Sequence, residues 1–137
     1  MIYTPQMRGK MGELAAARAL RDEGYEIVDA NFRTKLGEID IIAYKDGVVA
    51  FCEVKTREND VHGRPVECVT YSKRRKLVIT AIQFMKAYKI KNKMRFDVIE
   101  VHIPRNKDYK SAEVHHIVSA FTGDETPFNF IQGRSKL

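Results

Sequence analysis

Gly37–Arg57 reads GEIDIIAYKDGVVAFCEVKTR, and this stretch decides the fold. Two apolar, β-rich runs flank Asp46-Gly47: Ile39, Ile41, Ile42, Ala43 and Tyr44 before it, Val48, Val49, Ala50, Phe51, Cys52 and Val54 after it. Asp-Gly favours a two-residue hairpin turn because both central positions need positive φ. Counting outward from that turn pairs Lys45 with Val48, Ile42 with Phe51, Asp40 with Glu53 and Glu38 with Lys55. Cross-strand partners share a face of the sheet, as do residues two apart on one strand. The register therefore predicts Asp40 and Glu53 with Cβ atoms roughly 4.5–5.5 Å apart and Lys55 one pleat away.

Like charges directly opposed on a sheet are destabilising unless something compensates. A divalent cation is an economical compensator, since hard oxygen ligands from one or two carboxylates suit Mg²⁺. A neighbouring lysine then orients or activates a water, or stabilises charge on a phosphate. The rival reading is a solvated charged strip, with Glu38–Lys55 and a nearby arginine as surface ion pairs worth ~0–1 kcal/mol. Nearer the turn, Ile42, Tyr44, Val49 and Phe51 make one apolar face and Ile41, Ala43, Ala50 and Val54 the other. Strands covered on both sides read this way. Charges at the far end of such strands are costly to place without a purpose.

Asp40, twelve intervening residues, then Glu53-Val54-Lys55 resembles the D…ExK core of the restriction-endonuclease-like superfamily of metal-dependent nucleases. The wider wording resembles the bacterial YraN-like family, related in fold to archaeal Holliday-junction resolvases. Gly12-Glu13, Gly24-Tyr25, Asn31-Phe32-Arg33, Gly37-Glu38-Ile39-Asp40, Glu53-Val54-Lys55-Thr56-Arg57, Lys73 and Arg95-Phe96-Asp97 carry that resemblance, in order. A lone D…ExK is a weak pattern; the ordered set is far more specific. The resemblance implies an α/β, restriction-endonuclease-like fold, a central mixed β-sheet flanked by α-helices. It also implies Mg²⁺ or Mn²⁺ held by Asp40, Glu53 and the backbone carbonyl of Val54, with Lys55 positioning the attacking water. In resolvases of this superfamily a first-helix glutamate reaches the metal, which makes Glu13 the fourth candidate.

The chain has 137 residues, long enough for one domain with a real core. Its net charge of +6 favours an anionic partner, nucleic acid being the commonest. Two cysteines, Cys52 and Cys68, make neither a disulfide framework nor a zinc site. Cys52 reads as a buried thiol, which fits a reducing compartment. No signal-peptide pattern opens the chain and no apolar run approaches ~18 residues, so the expectation is a cytoplasmic protein without a membrane span.

Residues 6–23 read as a helix, with Thr4 able to cap it, Pro5 tolerated in its first turn and Gly24 suited to C′. Leu14, Ala16, Ala17 and Leu20 supply its apolar stripe, with Glu13 at the edge. Glu13 also fits as a carboxylate favoured by the helix dipole. Gly9 and Gly12 cost ~1 kcal/mol each there, which suggests frayed or closely packed backbone. A strand over 25–32 follows, with Tyr25, Ile27 and Val28 inward, then the basic loop Arg33–Gly37 leading into the hairpin. That loop is either a phosphate contact or a solvated turn. The segment Glu58–Pro65 is polar and turn-rich, either a lid or a connector, and its His62 is one loop histidine.

A second helix opens at Thr70 or Ser72 and runs to Tyr88, burying Leu77, Val78, Ala81, Phe84, Met85 and Tyr88. Its first turns carry Lys73-Arg74-Arg75-Lys76, four cations that oppose the macrodipole. An anionic ligand would offset that cost. Residues 94–103 alternate as a strand with a slip after Glu100, and Asp97 reads as structural, paired with Arg95 or Arg57. After a turn at Pro104–Lys110, Glu113–Phe121 is the last strand. His115 and His116 point to its opposite faces, so they form no metal clamp. Residues 1–121 are thus expected to form one endonuclease-like domain, and 122–137 a polar tail whose Phe128, Phe130 and Ile131 dock on the body or on another subunit.

The resulting expectation is a metal-dependent phosphodiester hydrolase acting on nucleic acid, DNA ahead of RNA, with branched DNA and a homodimer implied by the resemblance. Asp40, Glu53, Lys55 and Glu13 are the candidate catalytic residues. Arg33, Lys35, Arg57, Lys73, Arg74, Arg75 and Lys76 are the candidate backbone contacts. The rivals are a nucleic-acid-binding module that keeps the fold without cutting, and a structural interaction protein.

Overall fold

The structure of the protein, a computed structural model, describes residues 3–58 and 70–122. His62, Cys68, most of the expected 58–65 loop and the tail aromatics lie outside these residues. The elements run α1 (Pro5–Asp22), β1 (Glu26–Arg33), β2 (Glu38–Lys45), β3 (Val48–Arg57), α2 (Tyr71–Ala87), β4 (Lys93–His102) and β5 (Glu113–Phe121). The five strands form one sheet in chain order. β3 and β4 are parallel and every other neighbouring pair is antiparallel. α2 lies in the connection that joins the parallel pair. The architecture is therefore α/β, a mixed sheet with two helices.

The central hairpin turns at Asp46 (φ 51°) and Gly47 (φ 81°), both left-handed as the dipeptide predicts. The expected register holds from Lys45↔Val48 to Ile41↔Cys52 and then stops. Asp40–Glu53 and Glu38–Lys55 are not ladder pairs; Glu38 instead pairs with Arg33 on β1. The reason is local. The Asp40 carboxylate accepts the Val54 N–H at 2.8 Å, which removes that donor from the ladder.

Apolar cores lie on both faces. Ile42, Val49, Phe51, Phe96 and Val98 meet Leu77, Val78, Ala81 and Phe84 of α2, with stacked and edge-on rings among the phenylalanines. Ile41, Ala43, Ala50, Cys52, Ile99 and Val101 meet Met11, Ala15, Ala16 and Leu20 of α1. Leu14 and Val28, expected inside, are 56% and 42% exposed; Ala16 and Leu20 are buried as expected, and Met11 and Ala15 complete the stripe of α1. Tyr88 also lies outside, its ring against Phe84. Thr4 caps α1 by accepting from Met7 N–H, and a Schellman pair closes it: Gly24 N–H to Arg21 O and Tyr25 N–H to Leu20 O. β4 runs without the expected slip; the register shift falls on β5, where Ser119 has φ 54°.

Asp97 is structural as expected, and its partner is Arg95. Fully buried, it accepts from Arg95 Nε (2.9 Å), Arg95 Nη2 (2.8 Å) and Ser119 N–H (3.0 Å), and pairs with His116 Nε2 (2.7 Å). His116 Nδ1 reaches Glu23 at 2.9 Å. Burial alone would raise the Asp97 pKa, but these hydrogen bonds outweigh it and hold the carboxyl below its ordinary value. The same contact with Asp97, joined by Glu23, outweighs burial at His116 and raises its pKa.

Two glycines of α1 divide by environment. A Cβ on Gly12 would lie 1.8 Å from Thr56 Oγ1 and 3.0 Å from Thr56 Cβ, whereas one on Gly9 would meet nothing within 4 Å. The same substitution should therefore act in opposite directions. In chemical denaturation, Gly9→Ala should stabilise by about 1 kcal/mol through helix propensity. Gly12→Ala should destabilise by about 1–3 kcal/mol through overpacking against β3. Equal shifts in the two variants would refute this account of how α1 seats on the sheet.

Candidate active site

β2 and β3 stop pairing beyond Ile41 and Cys52, and charged side chains collect in the gap that opens. Asp40 is anchored there by the Val54 N–H. A residue's N–H and C=O leave an extended strand on the same side, so the Val54 carbonyl faces the gap too. Glu53, 7% exposed, lies in hydrogen-bonding contact with Asp40. Its Oε1 is 3.2 Å from Lys73 Nζ and 3.8 Å from Lys55 Nζ. Burial, first, and the charge of Glu53, second, push the Asp40 pKa up to about 7, against the pull of the Val54 N–H.

Glu13 adds to that upward push through its own charge, so α1 does deliver a third carboxylate to the neighbourhood. The close approach at Gly12 is what allows it: the next residue along α1 arrives beside the end of β3. Asn31 Nδ2 donates to Glu13 Oε1 at 3.3 Å. Asn31 has φ 55°, a left-handed conformation that Asn tolerates better than most residues.

α2 closes the opposite side. Its cap is Thr70, whose hydroxyl accepts the Lys73 N–H at 3.2 Å. A cavity of about 430 Å³ opens here, with Asp40, Glu53, Thr70, Ser72, Lys73 and Lys76 in its wall. Burial opposes the charge on Lys73, but the carboxylates of Glu53 and Asp40 prevail, and its pKa is raised. The start of β2 is pressed onto the same helix, since a Cβ on Gly37 would lie 2.8 Å from Thr80 Oγ1.

The structure separates the expected basic residues. Lys73 and Lys76 line the cavity, and Lys73 is an inner member of the site rather than a rim cation. Arg74 instead lies over the Phe121 ring, 5.8 Å from its centroid, and Arg75 is exposed. Arg33 is exposed and pairs with Glu38 at 3.3 Å, with Lys35 exposed nearby. Arg57 is half-buried two residues beyond Lys55 on β3. Sequence reasoning missed Asn31 and Ser72 as neighbours of the site, and the buried Glu100 bonded to His102. Glu100 is the strand partner of Lys55. Its poor fit to the apolar alternation of β4 was the available signal.

Among the described residues, no three of His, Cys, Asp and Glu converge into a ready-made metal cage. The donors fit a hard cation nonetheless: buried Glu53 and half-buried Asp40, held together against their own repulsion, beside an inward-facing carbonyl. Mg²⁺ and Mn²⁺ suit this kind of site, because Mg²⁺ takes one or two protein carboxylates and completes its shell with water and phosphate.

Residues 12–101 match the family described as "Uncharacterised protein family UPF0102". A UPF0102 protein of Alkaliphilus metalliredigens is 41% identical over 114 residues, covering 82% of this chain and 96% of the relative. One of Caldicellulosiruptor saccharolyticus is 43% identical, covering 82% and 95%. One of Clostridium botulinum is 45% identical over 103 residues, covering 74% and 84%. The chain belongs to the UPF0102 family, which bears out the family resemblance read from its motifs.

The strained carboxylate has a pH signature. Below about pH 4 Asp40 is protonated in folded and unfolded chains alike. Between there and its raised value of about 7, the folded state keeps a proton that the unfolded state releases, so stability falls as pH rises. Asp40→Asn, which keeps the acceptor for Val54 N–H, should stabilise the protein at pH 8 by about 2–4 kcal/mol and be nearly neutral at pH 4. Urea denaturation at both values measures it; a pH-independent difference would contradict the assignment.

Proposed function

We propose that this UPF0102 protein is a metal-dependent phosphodiesterase of the restriction-endonuclease-like kind, acting on DNA. The observation that carries the reading is half-buried Asp40 in contact with buried Glu53, with Lys55 and Lys73 against Glu53. Asp40, Glu53 and the Val54 carbonyl would hold Mg²⁺ or Mn²⁺, with Glu13 completing the site directly or through water. Bound there, such an ion would supply Lewis acidity, lowering the pKa of water and offsetting negative charge at phosphorus. Lys55 positions the attacking water. Lys76 and the Arg33–Lys35 loop hold the phosphodiester backbone without reading bases, so affinity should be strongly salt-dependent and indifferent to sequence. Selection among linear, flapped and branched DNA then rests on shape.

A non-cleaving nucleic-acid-binding module is the second reading. It is favoured by the two lysines already at Glu53, which give that carboxylate cationic partners without any metal ion. Thermal melting against Mn²⁺ and Mg²⁺ comes first. A ligand specific for the folded state stabilises by about 2.7 kcal/mol at 100 times its Kd. Wild type should show the shift and Glu53→Gln should lose it. On a panel of branched, flapped and linear DNA, Asp40→Ala should abolish cleavage while binding is kept. Salt-dependent binding with no cation-dependent shift and no cleavage by wild type would leave the binding module standing instead.

A further inference from the structure

Lys73 does not sit where a cation that merely attracts a nucleic-acid backbone would sit. It occupies the third position of α2, its N–H held by the Thr70 hydroxyl. That position ordinarily favours glutamate, whose charge suits the positive end of a helix and whose side chain can reach back to the cap. Here the position carries lysine, and the carboxylate comes from a different element. Glu53 of β3 presents Oε1 at 3.2 Å from Lys73 Nζ. Lys55 approaches the same oxygen at 3.8 Å, so Lys73 is the nearer cation.

The two lysines differ in how they are carried. Lys55 stands on β3, two residues from Glu53, inside the sheet. Lys73 stands on α2, and its side chain, 42% exposed, runs from the cavity wall to an acid whose side chain is 8% exposed. Its stem can swing without moving any strand. An ammonium and a divalent cation competing for one buried carboxylate oxygen repel each other, so the tethered and mobile charge is the one displaced. The space it would turn into is the adjoining cavity, which also carries Lys76 and the hydroxyl residues Thr70 and Ser72.

We infer that Lys73 is an exchangeable counter-ion: it holds Glu53 until a divalent cation takes that oxygen, then turns its charge onto a phosphodiester oxygen in the cavity. The inference rests on the metal-dependent reading above and adds to it a residue and an order of events. Lys73 is here a positioning residue, not a water activator.

The test titrates Mn²⁺ and Mg²⁺ into the intact protein without nucleic acid, by calorimetry and melting, for wild type, Lys73→Met, Lys73→Gln, Lys73→Arg and Lys91→Met. Lys91 is an exposed residue outside the site and controls for net charge. Removing the competitor should tighten cation binding in Lys73→Met and Lys73→Gln by about fivefold or more. Lys73→Arg and Lys91→Met should stay near wild type. With cation and a DNA duplex bearing a non-cleavable linkage, the Met and Gln variants should bind DNA more weakly than wild type. Unchanged or weaker cation binding in both folded uncharged variants, with wild type binding normally, would overturn the role of Lys73 alone. Absence of cation binding by wild type and every variant, with DNA present as well, would overturn the metal-dependent reading and this inference together.

Discussion

One hydrogen bond organises the charged end of this sheet: the Val54 N–H donates to the Asp40 carboxylate instead of to a backbone carbonyl across the ladder. A side-chain acceptor in that role satisfies the donor while freeing β2 from β3. The strands can then diverge without leaving the Val54 amide unpaired, which is the usual cost of ending a ladder in a protein interior. Everything else at this end follows from the divergence. Asp40 is held close to Glu53, the helix α2 faces the opened gap, and the carboxylate of β3 comes within reach of a lysine on α2.

The protein contains an internal comparison that sharpens this. Asp97, fully buried, and Asp40, half-buried, are aspartates of the same sheet, yet their pKa values move in opposite directions. Asp97 is surrounded by donors, from Arg95, His116 and the Ser119 amide, and stays charged at little cost. Asp40 has one backbone donor and an anionic neighbour. Burial is common to both; the difference is in their partners. A fold that can build the Asp97 cluster tolerates an unbalanced carboxylate at Asp40, and such imbalance concentrates where a protein binds or transforms something.

The hairpin was legible because its determinants are local: a turn dipeptide, two apolar runs and a period of two. Its register could be counted down to Ile41 and Cys52, and there counting failed, since side-chain competition for the Val54 amide leaves no mark in apolar periodicity. The convergence of Asp40, Glu53 and Lys55 survived that failure because residues near one end of a hairpin stay neighbours even when the ladder opens. Leu14 and Val28 misled for another reason. Both satisfy an apolar pattern, but the face α1 buries is chosen by the close approach at Gly12, and the alternation of β1 is broken by the register shift between Ile27 and Asp29. Lys73 was singled out as a cation at a helix start; its contact with Glu53 depends on where α2 comes to rest, which no spacing encodes.

Both borders of the sheet carry the same kind of irregularity. β1 is shifted in register between Ile27 and Asp29 and turns left-handed at Asn31, while β5 is shifted opposite Phe96–Val98 and turns left-handed at Ser119. Kinks of this sort twist an edge away from the flat, extended form that an incoming strand needs, and charged residues such as Glu26 and Glu113 add a further deterrent. The sheet is therefore guarded against growing sideways by strand addition. Among the described residues, a strand seeking to add at β1 or β5 would have to overcome both the kink and the charge at that border.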